Sequence, residues 1–156
     1  MSWENEQLKK AFKQYPELQN KLRLTNAIMD YNKIKARYPL GDLDRKYHSM
    51  TFNPNNNNKN DIRHIYTNAI FMQKYPEDFV RALGNFKEDA DLIDFKPIAD
   101  TFGDYINNEK GINIGKKYPF APSDIIFNNV LEEINLPITP RNNTLYGYIL
   151  ERKEQE

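Results

Sequence analysis

Two polar segments about forty residues apart carry the side chains best suited to chemistry. The first, residues 63–69, contains Arg63 and His64, and the second covers residues 104–115. Neutral imidazole is a base near pH 7, so His64 is the candidate general base, and the Arg63 guanidinium could bind an anionic substrate. A single histidine is also commonly a hydrogen-bonded structural residue. The type of residue alone therefore leaves both roles for His64 open.

The second segment combines one carboxylate, two amides and two glycines. Asp104, Asn107 and Asn108 could anchor a substrate or a phosphate, while Gly111 and Gly115 could expose backbone N–H groups to it. The alternative is structural, because Asn and Gly are the usual residues that end a helix. We therefore predict either a binding site or a helix terminus at this segment.

The two segments together resemble a helical domain at the toxin ends of Rhs-type polymorphic proteins and in scattered phage proteins. The pattern of that domain is Arg-His followed by an aromatic residue and Ala, then Gly-Asp-Ala-His-Glu, then Asp-x-x-Asn-Asn-x-x-Gly-x-x-Ile-Gly. The resemblance spans about residues 61–115. It implies a helical fold with a cluster of two histidines and carboxylates, which could bind a metal or perform acid–base chemistry. The matching residues are Arg63, His64, Ala69, Gly84, Glu88, Asp104, Asn107, Asn108, Gly111, Ile114 and Gly115.

The chain departs from this pattern at Lys87, which stands where the domain has its second histidine. An ammonium group opposes the binding of a cation, so we expect no metal and no cofactor. An enzyme of this kind would use His64 as the base, with Glu88 and Asp104 as its partners. Substrate would then be oriented by Arg63 and by the amides of residues 107 and 108.

Composition narrows the class of protein. The 156 residues suffice for one domain, residues 1–156, with a real core. Acidic and basic residues number 22 each, which gives no net field to attract nucleic acid or an anionic membrane. The absence of cysteine excludes disulfides, zinc ribbons and cysteine nucleophiles. We find no apolar stretch that predicts a signal peptide or a transmembrane segment.

Apolar residues recur at helical spacing along most of the chain and predict an all-α fold of about six helices. The helix that begins at Pro16 should bury a stripe that includes Leu22 and Ile28. We expect the fifth helix to end near Asn108, broken by the glycines that follow it. The predicted helices cover residues 2–14, 16–37, 61–74, 76 to between 89 and 94, 97–108, and 123–134, the last capped by Ser123.

Two regions differ from this helical pattern. Residues 38–60, with four successive asparagines, predict a long Asn-rich loop. Residues 136–140 predict an extended, proline-containing segment, and residues 136–156 could form a docking tail or strap the last helix onto the core. Residues 144–150 fit either a strand or a helix.

Three observations favour a non-enzymatic assembly component of a mobile element. They are the zero net charge, the aromatic and proline-containing segments, and the absence of the second histidine of the pattern. The most concrete form is a small tailed-phage virion protein, a connector, ring or tail-associated part, with protein partners in an oligomeric assembly. Its expected location is the host cytoplasm and then the virion. The alternatives are a toxin-like or cell-wall hydrolase based on His64, and a small module that inhibits a host protein.

Overall fold

A computed structural model describes residues 13–37, 62–93 and 98–154, and within these ranges the chain is helical without strands, which confirms the predicted all-α class. The predicted loop at 38–60 and the predicted helix at 2–14 lie outside the described residues, apart from 13 and 14, which are helical. The elements are a 3₁₀ turn Pro16–Leu18 and the helices α1 Lys21–Arg37, α2 Ile62–Met72, α3 Glu77–Ile93, α4 Ile98–Lys117, α5 Ser123–Glu133 and α6 Leu145–Glu154.

The predicted helix at residues 16–37 is two elements. The 3₁₀ turn ends at Leu18, and Asn20 then begins α1 by accepting a hydrogen bond from the Arg23 amide at its Oδ1, 3.0 Å away. An asparagine in this position satisfies one of the free N–H groups of a helix start. The restart changes which side chains of α1 face inward.

Leu22 and Ile28, predicted to be buried, are exposed, so this part of the predicted stripe is wrong. Among the side chains described in α1, Leu24 and Ala27 are buried, three residues apart on one face. Leu22 precedes Leu24 by two positions, which is about 200° around a helix, and therefore points away from the core.

Helix α4 extends through both glycines to Lys117, so the predicted end near Asn108 is wrong. Gly111 and Gly115 lie inside the helix and not after it, and neither has a positive φ. The helix continues because of tertiary packing, since both glycines face α2 at very short distance.

The last third of the chain packs as two further helices. Asn135, at φ 60°, ends α5, and the Leu136 amide donates to the carbonyl oxygen of Leu131 over 2.9 Å. The predicted Ser123 cap is wrong, because Ser123 is the first helical residue and Pro122 precedes it without a side-chain cap.

Most of the ambiguous segment 144–150 is helical, because α6 begins at Leu145. Its inner face, Leu145, Tyr148 and Ile149, is buried. Residues 136–154 therefore strap α6 onto the core, and a docking role for this segment stays a prediction.

Helices α2 and α4 lie between two apolar clusters. One cluster joins α2 to α5 and α6, with the Phe127 ring 6.0 Å from Tyr66 and 5.3 Å from Tyr148 between ring centres. The other joins the 3₁₀ turn, α1 and α3 to Phe71 and Ile112. Both clusters thus use side chains of α2 and α4. None of the helices in the described ranges is long and apolar enough to cross a membrane.

A partly buried hydrogen bond joins α1 to the segment that follows α2. The Tyr75 hydroxyl donates to Asp30 Oδ2 over 2.7 Å, and Lys74 Nζ lies 3.5 Å from the same oxygen. The bond from Tyr75, followed by the charge of Lys74, lowers the pKa of Asp30, while burial and the Asp30 contact raise the pKa of Tyr75 to about 12.

We expect Tyr75→Phe to lower the free energy of unfolding at pH 7 by about 1–2 kcal/mol, because a hydrogen bond to a charged but partly exposed carboxylate is lost. The folded pKa of Asp30 is below its unfolded value, so this stabilisation is present above the unfolded pKa and disappears as pH falls through the folded pKa. Urea unfolding across the acidic range should show the gap between wild type and variant closing. Tyr146→Phe, at an exposed tyrosine, is the control. A gap that stays constant with pH would exclude Asp30 as the acceptor that matters.

Candidate functional site

The two polar segments identified in the sequence meet where α2 packs against α4. Helix α2 provides residues 63–69, and α4 provides residues 104–115. The segments are in direct contact, because Asn68 Nδ2 lies 2.9 Å from Asn108 Oδ1. The candidate site is therefore an interface between two helices.

The glycines of α4 set the distance between these helices. A Cβ atom added at Gly111 would lie 2.3 Å from the carbonyl oxygen of Ile65 and 2.7 Å from Asn68 Cβ. A Cβ atom at Gly115 would lie 2.4 Å from Met72 Cβ and 2.8 Å from the Ala69 oxygen. Even alanine does not fit in either place. The glycines are thus packing residues on the face of α4 that touches α2.

Five polar side chains described on α2 and α4 lie in the protein interior, Asn68 and Asn108 among them. All of them are buried, with at most 8% of their surface exposed. They are His64, Thr67 and Asn68 from α2 and Asn107 and Asn108 from α4.

Asn68 connects the members of this polar set. Its Nδ2 group donates to the His64 carbonyl oxygen over 2.8 Å and to Asn108 Oδ1 over 2.9 Å. A side-chain amide has two N–H donors, and both are directed to protein acceptors here. The second bond crosses from α2 to α4, so it holds the two helices in one register.

Helix α3 approaches the same set of amides. A Cβ atom at Gly84 would lie 3.0 Å from Asn108 Nδ2, which leaves no room for a bound group between α3 and this amide. At the outer edge, Arg81 of α3 forms two hydrogen bonds to Glu109 of α4, at 2.7 and 3.1 Å. The contact with Glu109 raises the pKa of Arg81. The charges at this edge are partly exposed, so each pair contributes little to stability.

The structure describes only part of the predicted site. Asn108 bonds to Asn68 across the contact between α2 and α4, and His64 and Asn107 are buried on these two helices. Arg63 lies in α2 and Asp104 in α4, but their side chains are outside the described part of the structure.

The same holds for two side chains of α3, Glu88 and Lys87. Among the described residues, no group of three His, Cys, Asp or Glu side chains could hold a metal ion.

Asn68 is the contact residue that sequence reasoning missed. It lies four residues after His64, which places both on one face of α2. An amide on a buried helix face is the signal that could have identified it, because a buried amide requires partners.

A cleft of about 300 Å³ lies elsewhere, between α4 and α5. Its walls include Lys110, Asn113 and Lys117 from α4 and Asn129 from α5. None of the described candidate residues lines it. The polar set around Asn68 is thus an interior contact, and the open cleft is formed by different residues.

No family model, curated protein or solved structure matches the chain. A proposal for the function therefore has to come from the packing, exposure and charge of the described residues. The bond between Asn68 and Asn108 lies inside the contact between α2 and α4, and His64 and Asn107 are buried.

We expect Gly111→Ala and Gly115→Ala each to lower the free energy of unfolding by about 1–3 kcal/mol, because the added methyl group overpacks the contact. A loss of stability would point to the contact between the helices, since helix propensity alone favours alanine over glycine by about 1 kcal/mol. Thermal and urea unfolding measure the change. Asn113→Ala, on an exposed position of the same helix, should be neutral or stabilising. A higher unfolding temperature for either glycine variant would show that the helices do not approach so closely.

Proposed function

We propose that the chain is a non-enzymatic assembly component of a mobile element, such as a small virion protein of a tailed phage. The observation that supports this proposal most is that the polar residues of the candidate site are buried and bonded within the protein. Asn68 directs both amide hydrogens to protein acceptors, and its neighbours His64 and Asn108 are almost fully buried. Groups in this position stabilise a fold and are poorly placed to reach a large substrate.

The surface of the C-terminal third carries exposed apolar side chains, which an assembly protein uses to bind its partners. Large apolar side chains lie exposed from the α4–α5 turn to α6, and exposed apolar groups of this size often mark interaction surfaces. Aromatic residues in particular are enriched at protein interfaces. The exposed residues are Phe120, Ile125, Ile138, Tyr146 and Leu150.

The mobile-element part of the proposal comes from the resemblance over residues 61–115. The matching residues include three that pack α4 against α2, namely Asn108, Gly111 and Gly115. It loses the second histidine of the pattern at Lys87. A domain that retains its packing residues and loses a chemical residue fits a scaffold better than an enzyme.

A hydrolase is the second candidate, and one observation favours it. The two segments that would build such a site are in contact through Asn68 and Asn108, and His64 and Asn107 are buried on the same two helices. In that case His64 would act as the base, with Glu88 and Asp104 as its partners.

We expect Asn68→Ala and Asn108→Ala each to lower the free energy of unfolding by about 1–3 kcal/mol, because each leaves a buried partner without its hydrogen bond. The double variant should lose less than the sum, with a coupling of about 0.5–3 kcal/mol. Asn129→Ala is the matched control, since Asn129 Nδ2 also donates to a carbonyl four residues earlier, Ile125, but in a more exposed setting. It should change stability by no more than about 0.5 kcal/mol.

His64→Ala separates the two candidates. For a scaffold we expect a loss of stability of about 1–3 kcal/mol and unchanged association with protein partners. For a hydrolase the same change would reduce cleavage about 10²–10⁴-fold at nearly unchanged stability. Purified wild type that cleaves peptidoglycan, lipid or nucleic acid in a His64-dependent way would overturn the proposal.

A further inference from the structure

The cleft between α4 and α5 has walls of opposite charge. Two ammonium groups on its α4 side form a basic wall, and two carboxylates on its α5 side form an acidic wall. These charged side chains are Lys110 and Lys117, and Glu132 and Glu133. In the part of the chain that the structure describes, no ion pair joins the two walls. All four charges are therefore available to a bound molecule.

The acidic wall lies at an end of α5 that is already negative. Glu132 and Glu133 are exposed in the last turn of the helix, and that turn has no basic residue. The C-terminal end of a helix carries the negative part of the helix dipole, where cations are stabilising and carboxylates are not. Two carboxylates at this position add to the negative potential, so the acidic wall attracts a cationic group.

The basic wall is the counterpart on α4. Lys110 and Lys117 are about two helical turns apart, so both lie on one face of α4. Lys117 Nζ lies 5.5 Å from the centre of the Tyr118 ring, which keeps this ammonium group beside the cleft. An ammonium group donates charge-assisted hydrogen bonds to a carboxylate. The basic wall therefore suits an anionic group.

Side-chain amides line the same cleft. Asn113 of α4 and Asn129 of α5 each carry an amide, which can donate and accept hydrogen bonds. Asn129 Nδ2 donates to the Ile125 carbonyl over 2.8 Å, which leaves its oxygen to accept a bond from a ligand. The volume of about 300 Å³ is at the lower end of the range of about 300–1,000 Å³ for small-molecule sites. The cleft thus matches a small molecule with an amide group and two charges of opposite sign.

We propose that the cleft binds a zwitterionic peptide of dipeptide size, with its ammonium group at the acidic wall and its carboxylate at the basic wall. The peptide group between these ends bonds to the amides of Asn113 and Asn129. A free amino acid carries the same two charges but has no peptide group and a shorter separation between its ends. The site goes beyond the proposed assembly function and does not depend on it, because no residue of the polar set around Asn68 lines the cleft.

Titration of the ¹⁵N-labelled full chain with L-alanyl-L-alanine, followed by NMR chemical shifts, tests this site. We expect saturable shifts at the backbone amides of residues 110–118 and 129–133, with a dissociation constant on the order of 1 mM for so small a ligand. The affinity should fall as the ionic strength rises, because salt screens exposed charges. L-alanine should bind at least about tenfold more weakly.

Removing the charges of one wall at a time tests each wall. Glu132→Gln combined with Glu133→Gln neutralises the acidic wall, and Lys110→Gln combined with Lys117→Gln neutralises the basic wall. Each double variant should raise the dissociation constant at least about tenfold, as expected for the loss of two exposed charge contacts. The helical circular dichroism should be unchanged, since these side chains lie at the surface.

A matched control makes the same types of change outside the cleft. Lys116→Gln on α4 combined with Asp124→Asn on α5 removes one charge of each sign from exposed positions that do not line the cleft. Its dissociation constant should equal that of wild type.

Peptides with one capped end assign the orientation of the ligand. N-acetyl-L-alanyl-L-alanine keeps only the carboxylate, so its binding should weaken in the basic-wall variant and not in the acidic-wall variant. L-alanyl-L-alanine amide keeps only the ammonium group and should give the opposite result.

Three results would each overturn the proposed site. They are a titration without saturable shifts in α4 and α5, a wall variant that binds the dipeptide like wild type, and a capped peptide that responds to the opposite wall. L-alanine that binds as tightly as the dipeptide would overturn the assignment to a peptide.

Discussion

The close approach of α2 and α4 is the constraint on which the rest of this structure depends. At Gly111 the α4 backbone lies so near the Ile65 carbonyl that a methyl group would overlap it, and Gly115 repeats the contact at Ala69 and Met72. Each glycine inside a helix costs about 1 kcal/mol relative to alanine. The packing between α2 and α4 must therefore offset this cost for both glycines. It does so because α2 and α4 separate the two apolar clusters and supply side chains to both.

The buried amides follow from the same distance. Asn68 and Asn108 can bond directly only because the glycines let their helices come together. Removing an amide from water without a partner costs about 1–3 kcal/mol, so the pair is favourable only in this one register. An apolar contact would tolerate sliding of one helix along the other, whereas the amide bond fixes one alignment. The bond between Asn68 and Asn108 thus aligns α2 with α4. Large apolar side chains are exposed on α1, on the α4–α5 turn and on α6.

The sequence predicted the helices well and the role of the glycines poorly. Apolar spacing is a local signal, and it identified α1 to α5, whereas the start of α6 was left open between a strand and a helix. Gly111 and Gly115 look the same in sequence whether they end a helix or pack against one, because the deciding neighbour, α2, is about forty residues away. The helical outcome at 144–150 likewise needed the core, where Tyr148 is buried against Phe127. For the site, the sequence brought out His64, Asn107 and Asn108, but not Asn68, whose importance comes from a bond across the interface.

Native-state hydrogen exchange tests the central claim most directly, since it reports the free energy needed to open each helix. If the contact between α2 and α4 supports the rest of the fold, the amides of residues 65–69 and 111–115 should exchange only through global unfolding. Their opening free energies should equal the total free energy of unfolding and fall with denaturant at the same slope. The amides of α6 should open at lower free energy. Exchange at residues 111–115 that is faster than in α6, with little dependence on denaturant, would contradict the account.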